Sequence, residues 1–339
     1  MFKKLKKLIN NINRISKKEK KYRAFIISNT ADKNAKKYLT PLRESRSCIY
    51  GGAVVYDDAT AKKICLYLKN KIDYIFVDTE KKASLEKKSG AINIERTVRE
   101  NIILEKIFYF KANDLTVDAA STFMEMLFQK DIRNISNKKI LIIGAGNIGF
   151  KLSLRLIERG VKVFLNGKKK IITEKLISTI NKIKPNATLN KVKHFSNIQG
   201  NISQFDVIIN VSNGEKKILK RKKTILKSNV IFLEIGKNLF SEEILNYYLD
   251  NNVSIFRLDV SFSFNELIEQ KINTKDQWKK IKFTRIKKNG IDLVSRGLLG
   301  RMGDVVVDNP LKPKIIYGMI DNKRNLKNLS NKVKKKIIE

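Results

Sequence analysis

Apolar residues change spacing several times along the chain, and each spacing predicts a different element. In residues 1–23, Phe2, Leu5, Leu8, Ile9, Ile12 and Ile15 recur every three or four positions, which lines them along one face of a helix. Ten Lys/Arg and a single Glu accompany them. Such a helix either lies on a membrane surface or packs its stripe against the protein body. From 23 to about 110, short strand-like runs at 24–28, 47–56 (around Gly51-Gly52) and 73–78 alternate with helical stretches. Asp57-Asp58 caps the first of these, which runs to about Lys69. A longer helix is expected over 94–110. The alternation predicts a small α/β domain.

A further helix opens at 113–118, with Asn113 or Asp114 as N-cap and Ala119, Phe123, Met126 and Leu127 as its apolar face. The polar stretch 131–139 reads as a linker. Beyond it, Lys139-Ile140-Leu141-Ile142-Ile143 is a β-branched run of the kind buried on both faces of a parallel sheet. Gly144-Ala145-Gly146-Asn147-Ile148-Gly149 follows at once. Next come a helical stretch with Leu152, Leu156 and Ile157, the stop residue Gly160, and a second strand at 161–165. Strand, GxGxxG, helix, strand is the full context of a dinucleotide-binding turn. Gly144 permits the tight turn, Gly146 lets a pyrophosphate approach the backbone, and Gly149 lets the helix pack on the strand, while the helix N-terminus offers its N–H groups to the anion.

Three further strands are expected at 206–212, 229–236 and 254–259. Ligands bind at the carboxyl ends of such strands, which makes Asn210, Val211, Ser212 and Gly236, with Asn213-Gly214 following, candidate walls of a nicotinamide-ribose pocket. Asn210 also has a simpler reading as a strand terminator. The second strand of the motif ends in Asn166-Gly167-Lys168-Lys169-Lys170, where an NAD-specific domain places an acidic residue on the ribose. With Asn166 at the ribose and Lys168 beside a 2′-phosphate, NADP is favoured over NAD. His194 reads as structural in an edge strand. The loop at 297–304 carries Arg296 and Arg301 as carboxylate-binding candidates, against a plain connection between strands.

Composition narrows the chemistry. With two cysteines and one histidine, a closed Cys/His zinc site and a disulfide framework are excluded. No apolar run reaches the roughly 18–20 residues of a membrane-spanning helix. The net charge of +38 points toward nucleic acid. Only 15 of the 71 basic residues are arginine, however, and Asn and Ile are abundant too. Lysine, asparagine and isoleucine share A- and T-rich codons, so the charge reads as compositional drift, and no aromatic-interleaved basic stripe stands out along the sequence. No specific nucleic-acid partner is expected.

These motifs resemble the shikimate dehydrogenase-like group of the amino-acid dehydrogenase superfamily. The glycine loop at 144–149 resembles that group's, Asn166 with the following lysines is similar to its NADP-selecting Asn-Arg-Thr element, with Gly167 and Lys168 replacing the Arg and Thr, and 206–212 is similar to its Asp-Leu-Ile-Asn-Ala-Thr strand. Residues 113–118 resemble its Asn-Thr-Asp-Gly motif. The resemblance implies that Asp118, 26 positions before Gly144, exchanges a proton at the start of a connecting helix. Lys111 and Asp114 flank it as further catalytic candidates, with helix stabilisation the competing role for both aspartates. The group's Asn-Val-Thr-x-Pro-x-Lys and Ser-x-Ser segments are missing, which argues against shikimate itself as substrate.

The resulting expectation is an α/β protein in which a smaller N-terminal domain precedes a doubly wound parallel-sheet (Rossmann) domain. Residues 1–22 form a basic leader, 23–130 a substrate domain completed by 280–322, 131–279 the NAD(P) domain and 323–339 a basic tail. The expected function is hydride transfer between NADPH (or NADH) and a small carbonyl, hydroxy or imino substrate, in the cytoplasm. The alternative is a dinucleotide-binding regulatory or scaffold protein without turnover. Expected partners are the substrate, a homodimer mate and a weak membrane-surface contact through the N-terminal helix.

Overall fold

The computed structural model describes residues 1–29, 36–81, 92–199, 202–212, 218–219, 226–227, 229–281 and 283–338. The chain divides into two compact units, Met1–Glu266 and Leu267–Glu339. The first holds two α/β sheets.

In the first sheet, β1 (Tyr22–Ser28), β3 (Cys48–Val54), β4 (Tyr74–Asp78) and β5 (Ile107–Phe110) are parallel, and β2 (Tyr38–Glu44) is an antiparallel edge on β3. The order is β2-β3-β1-β4-β5. Because side chains alternate across a strand, Phe25, Ile27, Ile49, Ile75 and Val77 share one face. They form a single core with α1 (Phe2–Glu19), α2 (Asp58–Leu68) and α3 (Ile94–Asn101). On the other face, Tyr50, Phe76 and Phe110 surround Phe264 with ring centroids 5.6, 5.6 and 5.3 Å away. Phe264 stands in the first turn of α8 (Ser261–Lys280), and Tyr50 Oη donates to Asn265 Oδ1 beside it at 2.7 Å. Burial pushes the Tyr50 hydroxyl up to about 12.

The second sheet contains β6 (Lys139–Ile143), β7 (Lys162–Asn166), β8 (Lys193–His194), β9 (Val207–Asn210), β10 (Ile231–Glu234) and β11 (Ser254–Arg257). All neighbours are parallel, in the order β8-β7-β6-β9-β10-β11. That is the doubly wound 3-2-1-4-5-6 arrangement, whose direction reverses between β6 and β9. Ile140, Ile142, Val163, Leu165, Val207 and Ile209 face α4 (Ala112–Leu127), α5 (Asn147–Glu158) and α6 (Lys170–Ile183). Leu141, Ile143, Ile208 and Phe232 face the other way, toward Ile244 and Tyr248 of α7 (Glu242–Asp250). Burial on both faces explains the unbroken apolar runs.

The second unit has a sheet of its own, ordered β12 (Arg285–Lys288), β13 (Ile291–Ser295), β14 (Val305–Val307), β15 (Ile316–Ile320) and β16 (Leu326–Lys327). Its core gathers Leu293, Val305, Val307 and Ile337, the last from α9 (Asn331–Ile338).

Several expectations are corrected. The basic stripe at 1–22 is part of the first domain: Leu5, Ile9 and Ile12 are fully buried in its core, so those side chains are not offered to a membrane surface. The helix expected over 94–110 stops at Asn101, and Ile107–Phe110 is a strand, its isoleucine and three aromatic residues filling a sheet edge. Residues 280–322 do not complete the first sheet. They build the separate sheet of the second unit, while Phe264 and Asn265 of the first unit contact the first sheet. The tail expected at 323–339 is anchored by buried Ile337. The connecting helix α4 packs Val117, Ala120 and Met124 into the core of the second sheet, so the packing boundary falls before it rather than at 131. Among the described residues, no helix is long and apolar enough to cross a membrane.

Candidate functional site

The reversal point between β6 and β9 is where the glycine turn lies. Gly144 has φ +124°, and a Cβ there would sit 2.9 Å from both Ser212 N and Val211 Cγ2. A Cβ on Gly149 would overlap the carbonyl oxygen of Gly144, and one on Gly236 would overlap that of Ser212. Thus Gly144, Gly149, Val211, Ser212 and Gly236 converge at the carboxyl ends of β6, β9 and β10, with backbones too close for side chains. Gly146 differs. It is the N-cap of α5, and a Cβ there would meet nothing within 4 Å. The space over the α5 N-terminus is therefore open where an anion would approach the backbone N–H groups, and exposed Asn147 and part-buried Ile148 form the first turn beside it. This arrangement fits a dinucleotide: closed where strand and helix must touch, open where a pyrophosphate would lie.

Asn210 is fully buried. Its Oδ1 accepts from Ser212 N at 3.1 Å and Ser212 Oγ at 2.8 Å, and its Nδ2 donates to Lys237 O at 3.3 Å. It shapes the turn that presents Ser212, as its simpler reading as a strand terminator has it. Asn213-Gly214 lie outside the described residues. Asn166 Nδ2 donates to Phe195 O at 2.7 Å, tying β7 to the segment after β8. Lys168 is exposed just before α6, whose N-cap is Lys169. His194 lies on the edge strand β8, as expected.

The acidic candidates occupy a different surface. On α4, Asp114 and Asp118 pair with Lys151 and Arg155 of α5, and Glu125 pairs with Arg159, the C-cap of α5. The spacings 114/118 and 151/155 are each one helical turn, so the pairs form a ladder along the α4–α5 contact. The structure thus places both catalytic candidates, Asp114 and Asp118, as rungs of this ladder, each beside a cation of α5. Lys111 is the exposed N-cap of α4, outside the ladder.

The helix-start donors of α4 are satisfied from afar, which local sequence did not suggest. Buried Asp78, at the end of β4, accepts from Ala112 N (3.3 Å) and Glu80 N (3.0 Å). Glu80 Oε2 accepts from Asn113 N at 3.1 Å, and Asn29 Nδ2 donates to Glu80 O at 3.1 Å. Asn29, Asp78, Thr79 and Glu80 line a small cleft at the carboxyl end of the first sheet together with Asn93 and Glu95. The signal for it was a polar residue ending each of two buried strands.

Both cysteines are buried, and burial pushes the Cys65 thiol up to about 12, far from a reactive thiolate. Among the described residues, no group of three or more His, Cys, Asp or Glu could hold a metal ion.

Comparison with known proteins places this geometry. Residues 126–235 match the family model described as shikimate / quinate 5-dehydrogenase, a span that runs from the end of α4 through β10. A glutamyl-tRNA reductase from Thermosipho melanesiensis is 26% identical over 144 residues, 42% of this chain and 36% of the relative. The chain thus spans little more than a third of that relative's length. Among solved structures, L-tryptophan dehydrogenase from Nostoc punctiforme superposes with a TM-score of 0.42 at 14% identity, covering 75% of this chain and 78% of the other. A shikimate dehydrogenase in complex with NADP+ does so at 0.40 and 16% identity, covering 77% and 91%. The family match falls on the second sheet, whose strand order and glycine turn are those of a Rossmann arrangement.

Proposed function

We propose that the chain transfers a hydride between a nicotinamide cofactor, NADPH in preference to NADH, and a small carbonyl, hydroxy or imino substrate held between the first sheet and the Rossmann sheet. The observation that carries this is the open turn at Gly146 set exactly at the strand-order reversal, with every neighbouring glycine closed. Gly144, Gly146, Asn147, Ile148 and Gly149 cradle the pyrophosphate; Lys168 meets the 2′-phosphate; Val211, Ser212 and Gly236 wall the nicotinamide side. When bound, the cofactor supplies or accepts the hydride. The substrate oxygen or nitrogen then needs a proton partner, and Lys111, at the start of α4 and outside the ion-pair ladder, takes that role.

Titrating the protein with NADPH and NADH by nucleotide fluorescence, followed by absorbance assays against carbonyl, imine and hydroxy compounds, tests the reading. Absence of nucleotide binding overturns it. Tight binding without turnover on any class supports a second reading, a dinucleotide-responsive regulatory or scaffold protein, which the pairing of both Asp114 and Asp118 with α5 favours.

A further inference from the structure

The Leu267–Glu339 unit takes no part in the proposed reaction, yet it concentrates charge: 19 lysines and arginines stand against 7 aspartates and glutamates. Its fold also assembles aromatic residues that are scattered in sequence. Trp278, near the end of α8, is 62% exposed and lies 4.4 Å from Phe283, ring centroid to ring centroid. Phe283 borders Gly297, where a Cβ would be 3.3 Å from its ring. The adjacent Arg296 donates to Tyr317 Oη at 3.0 Å and lies 5.9 Å from the centre of that ring. Trp278, Phe283, Arg296 and Tyr317 therefore follow one another across the end of the sheet where β13 finishes. Phe283 and Tyr317 are each exposed as well, and exposed Lys312 and Lys314 lie on the segment entering β15, the strand that carries Tyr317.

We infer that this surface binds single-stranded nucleic acid without sequence preference. Exposed rings offer stacking faces to unpaired bases, and every base has such a face. Arginine has five donors, of which the bond to Tyr317 uses one, so the guanidinium can face a phosphate while it stays fixed beside the ring. Lysines nearby neutralise further phosphates and make binding salt-dependent. A duplex hides its base faces, so the aromatic row favours single strands. An anionic membrane also seats tryptophan and tyrosine at its interface, so vesicles form one arm of the test. The inference does not rest on the proposed redox activity, because none of these residues belongs to the Rossmann site.

Trp278 is the chain's only tryptophan, so its fluorescence reports on this surface directly in the full-length protein. The probe is a fluorescein-labelled single-stranded (dT)20 at about 0.15 M salt, the ionic strength at which exposed charges are largely screened beyond roughly 8 Å. The comparisons are a mixed-sequence duplex of equal length and phosphatidylcholine vesicles containing phosphatidylserine. Single-stranded (dT)20 should quench Trp278 and bind more tightly than the duplex. Trp278→Ala should weaken binding about tenfold with no change of charge, Trp278→Phe should retain most of it, and Arg296→Ala should cost more than Lys175→Ala, which removes the same charge from exposed α6. The inference is overturned if Trp278 emission does not change, if the duplex binds equally well, if Arg296→Ala and Lys175→Ala are equivalent, or if vesicles bind and the oligonucleotide does not.

Discussion

Two glycines of the same turn should fail in opposite ways. At Gly144, alanine would have to adopt φ +124°, and its Cβ would stand 2.9 Å from Ser212 N and Val211 Cγ2. Backbone strain of this kind costs about 1–3 kcal/mol, and forcing a methyl into a filled site costs about another 1–3 kcal/mol. Gly144→Ala should therefore lose roughly 2–6 kcal/mol, a large part of the 5–15 kcal/mol that typically holds a domain folded. For a unit of this size the melting temperature should drop by roughly 5–20 °C. Gly146→Ala meets nothing within 4 Å and keeps an extended backbone that alanine adopts freely, so it should melt within a few degrees of the parent. Its methyl, however, fills the space an anion needs beside the α5 N–H groups. Losing one charge-assisted hydrogen bond, worth about 1.5–3 kcal/mol, should weaken NADPH binding at least tenfold. Thermal melts and nucleotide titrations on the two variants separate the effects. Unchanged NADPH affinity in Gly146→Ala would refute the placement of the anion, and a parent-like melt in Gly144→Ala would refute the tight β6–β9 packing.

Four other perturbations follow from named contacts. Replacing Lys168 and Lys169 with alanine should weaken NADPH roughly tenfold while leaving NADH nearly unaffected, as measured by parallel titrations; equal losses would mean the lysines do not meet the 2′-phosphate. Asp118→Asn should cost at most about 1 kcal/mol, since it breaks a half-exposed pair with Arg155, and should leave turnover intact once a substrate is found; a steep loss of kcat would restore the carboxylate to catalysis. Asn166→Asp should lower stability by about 1–3 kcal/mol, because a carboxylate cannot donate to Phe195 O; a parent-like melt with a preference moved to NADH would show that the side chain faces the ribose instead. Burial pushes the Asp73 carboxyl upward, but donors from Arg23 Nε (3.0 Å), Nη2 (2.6 Å) and backbone N (2.8 Å) prevail and hold it below the usual carboxylate range. A depressed folded value means the stabilisation is present above the unfolded value of about 4 and disappears as pH falls through the folded one, so the melting-temperature gap between the parent and Asp73→Asn should close in acid; a gap constant down to pH 2 would exclude the linkage.

The Rossmann half was legible because its signals are local. The apolar run at Lys139–Ile143, the glycine spacing and Gly160 each act within one element, and the structure repeats them strand by strand. What was not legible depended on partners far away in sequence. The spacing of Leu5, Ile9 and Ile12 describes an apolar stripe equally well whether lipid or a sheet covers it, and only the register of Phe25, Ile27 and Ile49 provides the cover. The run at Ile107–Phe110 looked helical in continuation of α3, yet a four-residue aromatic strand is stabilised by its neighbour β4 rather than by its own spacing.

The same distinction decides the candidate site. Glycine roles follow from the absence of a side chain and survive translation from sequence to structure. Polar side chains do not, because the same Asn or Asp serves scaffold or chemistry according to what stands opposite it. Asp118 has the chain position of a catalytic acid, but Arg155 stands one turn above Lys151 on α5, and Asp114 and Asp118 are one turn apart on α4. Two helices that present complementary charges at matching intervals form a ladder along their contact. That ladder orients α4, and α4 in turn carries Lys111 at its N-cap, where Asp78 and Glu80 hold the helix start to the first sheet. The carboxylates thus have a positional role: they fix the helix that joins the two sheets, and with it the place of the lysine at its tip.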